Sequence, residues 1–323
     1  MGLPTISVAV LDDYQRVAER FADWDRIRKQ CTVQFFDRPL SGAAEAAKIL
    51  ADFDVICLMR ERMPMPIDLI RRLPRLKLIC VTGAHHRTLD LEAATAQGVV
   101  VSCTDSASTE YPTSELTWGL ILACARQIIR ENQSIRDGGW QTSIGRTLHG
   151  RKLGLVGLGR VGAAVARIGA AFGMEVFAWS PNLTAEKAAQ ANVRLLSKSE
   201  LFSECDVVSI HLVLGDRTRG IIGSEELSRM RSDSILVNAA RGALIRESAL
   251  IDALRSGRPG VVALDTFDTE PLPVDHPFRS MDNVLATPHI GYVTEDTYRQ
   301  FYSATVENIE AFLAGAPVRL LCQ

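Results

Sequence analysis

The sequence lacks the features of a disulfide-rich, a nucleic-acid-binding or a membrane-spanning protein. Its seven cysteines are an odd number and none forms a CxxC pair, so their spacing indicates neither a disulfide framework nor a cysteine-based metal site. The formal net charge is only -2 and the basic residues are scattered, which excludes a general attraction to nucleic acid or anionic lipid. The apolar run LTWGLILACA ends at Arg126 and is too short to cross a bilayer.

The N-terminus also lacks a targeting signal. The stretch MGLPTISVAVLDDY has no basic flank before an apolar core, so it is not a signal peptide. Several cysteines lie inside apolar runs such as DVICLM and LKLICV, which is typical of free buried thiols in a reducing compartment. We therefore expect a cytoplasmic protein with no membrane, nucleic-acid or metal partner.

The remaining composition is that of an ordinary α/β protein. The 323 residues are 47% hydrophobic and 23% charged, and this length suggests two domains. Short β-branched runs alternate with helix-period segments, which predicts doubly wound parallel sheets. The predicted strands are ISVAVL, TVQFF, DVICLM, LKLICV and GVVVS in a first series, and KLGLVG, EVFAWS, DVVSIHL, SILVNA, GVVALD and NVLATP in a second.

Two long helical patterns suggest how the domains are connected. One runs from about Thr113 to Arg136, and the other covers TEDTYRQFYSATVENIEAFLAG near the C-terminus. In the simplest layout the first helix crosses from one domain to the other and the last helix returns. We therefore predict a discontinuous domain over residues 1–104 and 293–323, and a second domain over residues 105–292.

The second series opens with glycines in G-x-G-x-x-G spacing, at Gly157, Gly159 and Gly162. They follow a predicted strand and open a predicted Ala-rich helix, which is the context of a dinucleotide-binding turn. Gly157 would allow the tight turn, Gly159 the approach of a pyrophosphate, and Gly162 the packing of helix on sheet. The helix N-terminus would offer unpaired N–H groups to the anion. A glycine turn with a purely structural role is the alternative.

The residue that would select the cofactor is not the usual acid. The next predicted strand should end in Asp or Glu to bind the adenosine ribose of NAD, but Ser180 stands there, in FAWSPNLT. A serine does not repel a 2′-phosphate, yet no arginine follows at once to neutralise one; Asn182 and Lys187 are the nearest candidates. We expect NAD, with NADP as an open alternative, and hypothesise that Ser180 relaxes the preference.

Polar groups of complementary type follow three successive predicted strands. Arg241 follows LVNA, Glu270 lies in the loop after Asp265, and His289 follows NVLATP. Ligands of open α/β sheets gather beyond the carboxyl ends of the strands. Each residue has a structural alternative: a surface cation, a solvated loop acid, a turn cap or a core histidine. Their joint occurrence downstream of a dinucleotide turn favours a functional site.

These motifs resemble the D-isomer-specific 2-hydroxyacid dehydrogenase family. GLVGLGRVG, NAARGALI, ALDTFDTEPLP and TPHIG occur in order and at family-like spacing, and the resemblance covers nearly the whole chain. It implies a Rossmann cofactor domain inserted into a flavodoxin-like substrate domain, with the active site in the cleft between the two domains. It also implies a homodimer.

The resemblance further implies that Arg241, Glu270 and His289 are the catalytic set, and the chemistry suits these residue types. Reduction of a 2-oxo acid needs a hydride at the carbonyl carbon and a proton at its oxygen. His289 is suited to supply the proton because imidazole titrates near neutrality. Glu270 would hold the ring and favour imidazolium. Arg241 would bind the substrate carboxylate with its planar fork.

Other residues are implied to bind cofactor or substrate. The cofactor set is Gly157, Leu158, Gly159, Arg160, Val161, Gly162, Ser180, Pro181, His211, Ala239, Arg241, Asp265, His289, Gly291 and Thr113. The substrate set is Arg60, Ala84, His85, His86, Arg241 and His289. Within the first set, Asp265 is expected to support its neighbours, and Val213 replaces a family proline near His211. The remaining histidines, His149 and His276, offer no mechanism and are expected at the surface.

The loop VTGAHHRTLD departs from the family pattern. The resemblance implies that it holds the substrate carboxylate through backbone N–H groups, but His85 stands where the family usually has glycine. His85, His86, Arg87 and Arg60 could together accept a second negative charge, such as a phosphate or a second carboxylate. The alternative is that both histidines are solvated loop residues.

The resemblance predicts an NAD(P)-dependent D-2-hydroxyacid dehydrogenase, or 2-oxo acid reductase. Glyoxylate, hydroxypyruvate and 3-phosphohydroxypyruvate are the candidate substrates. The chain ends soon after its last predicted helix, so we do not expect the C-terminal regulatory module of many phosphoglycerate dehydrogenases. Formate dehydrogenases carry an amide where Glu270 stands, which argues against that activity. The alternative from another class is a dinucleotide-sensing corepressor-like protein without significant turnover, since such relatives keep a similar triad.

Overall fold

A computed structural model describes residues 5–40, 42–104 and 110–321 of the chain. The chain divides into two units: Met1–Ser108 with Val293–Gln323, and Thr109–Tyr292. The first unit is therefore discontinuous in sequence and the second is inserted into it. No helix among the described residues is long and apolar enough to span a membrane.

Strands and helices alternate along both units. The strands are β1 (Ile6–Val10), β2 (Cys31–Phe35), β3 (Val55–Leu58), β4 (Leu78–Val81), β5 (Val100–Cys103), β6 (Lys152–Val156), β7 (Glu175–Trp179), β8 (Arg194–Leu195), β9 (Val207–Ile210), β10 (Ile235–Asn238), β11 (Val261–Leu264) and β12 (Val284–Ala286). The α-helices are α1 (Ala18–Phe21), α2 (Asp25–Arg28), α3 (Gly42–Leu50), α4 (Ile67–Ile70), α5 (Leu91–Ala96), α6 (Glu110–Arg126), α7 (Ile128–Arg136), α8 (Arg160–Ala171), α9 (Ala185–Gln190), α10 (Lys198–Glu204), α11 (Ser224–Arg229), α12 (Glu247–Arg255) and α13 (Glu295–Leu313).

The first unit is a parallel sheet with helices on both faces. Its strand order, β2-β1-β3-β4-β5, is the flavodoxin-like order and confirms the predicted fold class. Strands β3 and β4 are buried along their whole length, as the continuous apolar runs of parallel strands require. One face packs on α3, α4 and α5 around Leu50, Ile56 and Ile79. Helix α13 returns to this unit and contacts α1, α2 and β4.

The second unit is a seven-stranded parallel sheet in the order β12-β11-β10-β9-β6-β7-β8. This is the Rossmann order with one additional strand beside β11, and it confirms the predicted fold class. The winding direction reverses between β6 and β9, which lie side by side with Val156 opposite Ile210. Ligands of doubly wound sheets bind at such a reversal, beyond the carboxyl ends of the strands.

Two local features differ from the prediction. The helix expected over 113–136 is broken into α6 and α7 at Gln127, whose φ of 54° lies in the left-handed region. The Gln127 side chain donates to the carbonyl oxygen of Cys124 at 3.1 Å, which satisfies a free acceptor at the end of α6. Strand β8 was not predicted, because its two residues are too few to show an alternating pattern.

Candidate active site

Three neighbouring strands of the second unit position the polar residues singled out from the sequence. Arg241 follows β10, Asp265 follows β11, and His289 follows β12. These strands are adjacent and parallel in the sheet. Because the carboxyl ends of parallel strands share one edge, the three segments meet there.

His289 and Glu270 form a direct pair at this edge. Nδ1 of His289 lies 2.6 Å from Oε2 of Glu270, and the two side chains are 26% and 33% exposed. The other carboxylate oxygen, Oε1, accepts the backbone N–H of Phe267 at 2.9 Å. An ionised carboxylate can only accept, so Nδ1 carries the proton and Nε2 is the nitrogen able to exchange a proton with a substrate.

Positive charge surrounds Glu270 and keeps it ionised. Burial by itself raises the pKa of the carboxyl, but the hydrogen bond and charge of His289, the Phe267 N–H and the charge of Arg241 together hold it below its ordinary value. Arg241 is next to Gly242, which lies against the Phe267–Asp268 peptide of the loop that carries Glu270. The structure therefore brings Arg241, Glu270 and His289 together at one edge of the sheet.

The backbone at His289 is strained and is held by Asp265. The φ of His289 is 54°, a conformation that non-glycine residues seldom adopt outside functional or over-determined sites. The carboxylate of Asp265, which is fully buried, accepts the Thr287 hydroxyl at 2.7 Å and the backbone N–H groups of Ile290 and Gly291 at 2.8 and 2.9 Å. Asp265 thus fixes the turn that presents the imidazole, the supporting position expected of it.

The turn that carries Arg241 packs directly on the loop that carries Glu270. Asn238 accepts the Ala240 N–H with its side-chain oxygen and donates its amide to the carbonyl of Arg241 at 2.9 Å. A Cβ on Gly242 would lie 2.2 Å from the carbonyl carbon of Phe267, so only glycine allows this approach. Arg241 Nη1 donates to the Ala240 carbonyl at 2.7 Å.

The glycine turn after β6 has the shape of a phosphate cradle. Gly157 has a φ of 108°, and a Cβ on Gly162 would lie 2.2 Å from the Gly157 carbonyl oxygen. A Cβ on Gly159 would meet nothing within 4 Å, so this exposed glycine leaves the surface open to a ligand. Gly159 caps α8 without any side-chain bond, which leaves the first N–H groups of the helix for an anion. The residues fit the pyrophosphate of a dinucleotide.

Other residues of the predicted cofactor set surround these two features. Thr113 donates its hydroxyl to the Gly291 carbonyl at 3.2 Å, beside the histidine turn. His211 lies against the glycine turn, since a Cβ on Gly157 would be 2.8 Å from its carbonyl carbon. Burial lowers the pKa of His211 to about 4, so this ring is neutral, and it is hydrogen-bonded to Ser209 at 2.9 Å. Leu158, Val161, Ser180 and Ala239 are partly or fully buried, whereas Arg160 and Pro181 are exposed.

The predicted substrate loop lies in the first unit. Arg60 donates its backbone N–H to the Thr82 hydroxyl at 2.7 Å, and its guanidinium covers Gly83, where a Cβ would lie 1.8 Å from Nη1. In the loop itself Ala84 is half-buried and His85 is exposed, but His86 is only 6% exposed. Burial lowers the pKa of His86, and Arg60 adds to this, so His86 is a neutral buried ring rather than a solvated one.

Two side chains near the site were missed or misjudged from the sequence. His276, expected at the surface, is 12% exposed and bonds Glu247 at 3.1 Å. Tyr292, three residues after His289, is 6% exposed and places its ring at right angles to the imidazole, with centroids 5.8 Å apart. Tyr292 could have been found from the sequence by its position three residues after His289, whereas no local sequence pattern pairs positions 247 and 276.

Comparison with known proteins identifies close relatives. Residues 118–291 match the model of the D-isomer specific 2-hydroxyacid dehydrogenase NAD binding domain. The chain is 37% identical over 257 residues to glyoxylate reductase of Aeropyrum pernix, covering 77% of this chain and 76% of that protein. It is 37% identical over 270 residues to hydroxypyruvate reductase of Thermotoga maritima, covering 82% and 86%.

A solved structure extends the similarity to the whole fold. Phosphoglycerate oxidoreductase from Vibrio cholerae O395 matches with a TM-score of 0.90 and 34% identity, over 97% of this chain and 100% of that one. The chain spans about half the length of the D-3-phosphoglycerate dehydrogenases of Methanocaldococcus jannaschii and Archaeoglobus fulgidus, to which it is 37% and 34% identical.

Proposed function

The chain belongs to the D-isomer specific 2-hydroxyacid dehydrogenase family, and we propose that it reduces a small 2-oxo acid with Arg241, Glu270 and His289 as its catalytic residues. Family membership makes it an NAD(P)-dependent oxidoreductase. The observation that carries the residue assignment is the His289–Glu270 pair at 2.6 Å, within the influence of Arg241.

The proposed chemistry divides into hydride and proton transfer. The nicotinamide, when bound, supplies the hydride for reduction. His289 donates a proton from Nε2 to the substrate oxygen as charge develops there, and takes it back in the reverse direction. Glu270 stabilises the imidazolium through Nδ1 and keeps the ring in the productive orientation. Arg241 binds the substrate carboxylate and polarises the adjacent carbonyl.

We propose glyoxylate and hydroxypyruvate as the first substrates to test. The support is the 37% identity to proteins named glyoxylate reductase and hydroxypyruvate reductase, each covered over more than three quarters of its length. Arg60, Ala84, His85 and His86 remain the proposed substrate-binding residues of the first unit. Since His86 is buried and neutral, a second negative charge on the substrate would depend on Arg60, His85 and Arg87.

The test is turnover by wild type and His289→Ala. NADH and NADPH are each mixed with a panel of small 2-oxo acids, and loss of reduced-nicotinamide absorbance is followed. We expect turnover by wild type and a loss of about 10²–10⁴-fold in the variant, since a positioned acid contributes this much. Tight dinucleotide binding without turnover of any acid would contradict the proposal and favour a sensing role. Equal rates for wild type and variant would contradict the role of His289.

We also propose a cytoplasmic homodimer. Cys31, Cys57, Cys80, Cys124 and Cys205 are buried free thiols, which supports a reducing compartment; Cys322 lies outside the described residues. Helix α7 buries none of its residues, and the apolar side chains of Ile129, Trp140 and Ile144 are 56%, 76% and 96% exposed. We infer that a second copy of the chain covers these side chains. Sedimentation of wild type and Trp140→Glu tests this, and a monomeric wild type would contradict it.

A further inference from the structure

Two segments of the second unit carry catalytic side chains and touch each other. We call residues 239–247 the arginine turn, because it contains Arg241, and residues 266–279 the acid loop, because it contains Glu270. Their first contact is the close approach of Gly242 to the Phe267–Asp268 peptide. That contact lies three residues before Glu270. It does not hold the part of the acid loop that follows Glu270, residues 271–279, against the arginine turn.

The second contact is a histidine–glutamate pair at the far end of both segments. Nε2 of His276, in the acid loop, lies 3.1 Å from Oε1 of Glu247, which begins α12 at the end of the arginine turn. Nδ1 of His276 accepts the backbone N–H of Phe278 at 3.2 Å. A nitrogen that accepts an N–H carries no proton, so Nε2 is the donor to Glu247. Both ring nitrogens are therefore used.

Packing restricts the movement of the His276 side chain in the His276–Glu247 pair. The His276 side chain is 12% exposed and its ring centroid is 4.7 Å from that of Phe278, which is 4% exposed. The guanidinium of Arg279 donates to the carbonyl oxygens of Leu272 and Pro273, at 2.6 and 2.8 Å, so the two ends of the segment 272–279 are connected to each other. The acid loop is thus a closed unit, and His276 connects this unit to the helix after Arg241.

Glu247 also lies near an acid of the same loop. Burial raises the pKa of Asp268 and the charge of Glu247 raises it further, whereas Arg219 and His276 oppose this. Two carboxylates across the contact between the segments repel each other. The Nε2–H of His276 gives Glu247 a donor at that place, which keeps the segments together despite the repulsion.

We propose that His276 and Glu247 are a positioning pair that holds the acid loop on the arginine turn, so that Glu270 stays against His289 and beside Arg241. Neither residue touches the reacting atoms. This inference rests on the proposed function, because its consequence for turnover requires that Glu270 and His289 act together in the reaction.

The test uses two substitutions of His276 by residues with an amide side chain, each of which retains a different one of its two hydrogen bonds. The amide of His276→Gln reaches the position of Nε2 and can donate to Glu247. The amide of His276→Asn reaches only the position of Nδ1, so it keeps the Phe278 bond and loses Glu247. Both variants lose the ring, so packing loss is matched. Glu225→Gln, which alters an exposed ion pair with Arg229 in the same unit, is the unrelated control.

We expect kcat of the Asn variant to fall roughly 10- to 100-fold, as misplacement of a catalytic group by about 1 Å does. The Gln variant and Glu225→Gln should stay within about threefold of wild type, a range below the tenfold change that 1.4 kcal/mol produces. The NADH dissociation constant should change much less than kcat, since most of the predicted cofactor-binding residues, including the glycine turn, lie outside both segments. Equal kcat for the Asn and Gln variants would overturn the inference.

A double-substitution cycle separates positioning from general structural damage. If His276 acts through Glu270, the Asn substitution should cost little further in a Glu270→Gln background, whereas full additivity would contradict the inference. Hydrogen exchange of the peptide 266–279 gives a readout without turnover: it should accelerate in the Asn variant and not in the Gln variant. If wild type turns over no 2-oxo acid, the proposed function fails while this exchange result still decides the positioning pair.

Discussion

Glu270→Gln removes the charge that faces His289 and retains the shape of the side chain. In wild type Oε1 accepts the Phe267 N–H and Oε2 faces Nδ1 of the imidazole. In the variant the amide oxygen stays on the Phe267 side, because an amide nitrogen there would meet another donor. The amide NH₂ then points at Nδ1, where it can only donate. This favours the neutral ring with its proton on Nε2 and disfavours imidazolium.

The size of the effect follows from the contact. A hydrogen bond between charged partners contributes about 1.5–3 kcal/mol net. The His289 and Glu270 side chains are 26% and 33% exposed, so solvent screening moves the value toward the lower end of that range. We take about 1.5–2 kcal/mol for the contact, which corresponds to about a 10- to 30-fold lower rate of reduction in the variant.

The direction of the pH effect is opposite for the two reactions. The pKa of Glu270 is held below its ordinary value, so its carboxylate is ionised throughout the neutral range. Reduction needs a protonated His289, so it is fast at low pH and is lost as pH rises; without the carboxylate this loss should occur at lower pH. Oxidation of the hydroxy acid needs a neutral ring whose Nε2 can accept the proton. In the variant its rise with pH should also begin at lower pH but reach a lower maximum, because the favoured neutral ring carries its proton on Nε2.

The assay is kcat/KM against pH in both directions for wild type, Glu270→Gln and Glu270→Asp. The Asp variant retains the charge with a shorter side chain, so its profile midpoint should stay near that of wild type even if its rate falls. Midpoints for Glu270→Gln that coincide with those of wild type in both directions would refute the acid/base pairing of Glu270 with His289. A lower rate with an unmoved profile would assign Glu270 to substrate orientation instead.

Four further substitutions test the supporting structure and the cofactor site. Asp265→Ala should lower the free energy of unfolding by about 2–4 kcal/mol, because the buried N–H of Gly291 and the partly buried N–H of Ile290 lose their acceptor. It should also lower kcat as the His289 turn relaxes. Urea unfolding and turnover measure these effects, and an unchanged kcat would contradict the role of Asp265. Gly162→Ala should lower both Tm and dinucleotide affinity, because its Cβ would lie 2.2 Å from a carbonyl oxygen. Gly159→Ala should weaken dinucleotide binding at an unchanged Tm, because its Cβ would meet no protein atom within 4 Å. Equal effects of the two substitutions on Tm and on binding would contradict the cradle geometry. Ser180→Asp should reduce kcat/KM for NADPH relative to NADH by at least about 10-fold through repulsion of the 2′-phosphate, and an unaltered ratio would show that Ser180 does not face the ribose.

Most of the architecture could be predicted from local patterns in the sequence. The eleven predicted strands are all present, because the buried strands of a parallel sheet are continuous apolar runs that can be recognised one at a time. The glycine spacing predicted the turn after β6, since Gly162 is required by a contact within the turn and Gly157 by a contact with the end of an adjacent strand, whereas Gly159 leaves the surface open. The prediction of one helix over 113–136 was wrong at Gln127, because a single residue in the left-handed conformation does not change the helical spacing of the apolar residues around it.

The sequence by itself determined the two doubly wound sheets and the three segments that carry Arg241, Glu270 and His289, because buried strands and the loops that follow them can be recognised from local pattern. The strand order that makes the three strand ends neighbours came from the tertiary structure. Only the tertiary structure decided which atoms meet. It made His86 a buried neutral ring and joined His276 to Glu247, 29 residues away. The physical reason is range: periodicity and turn chemistry act over a few residues, whereas partners and burial depend on how distant segments pack.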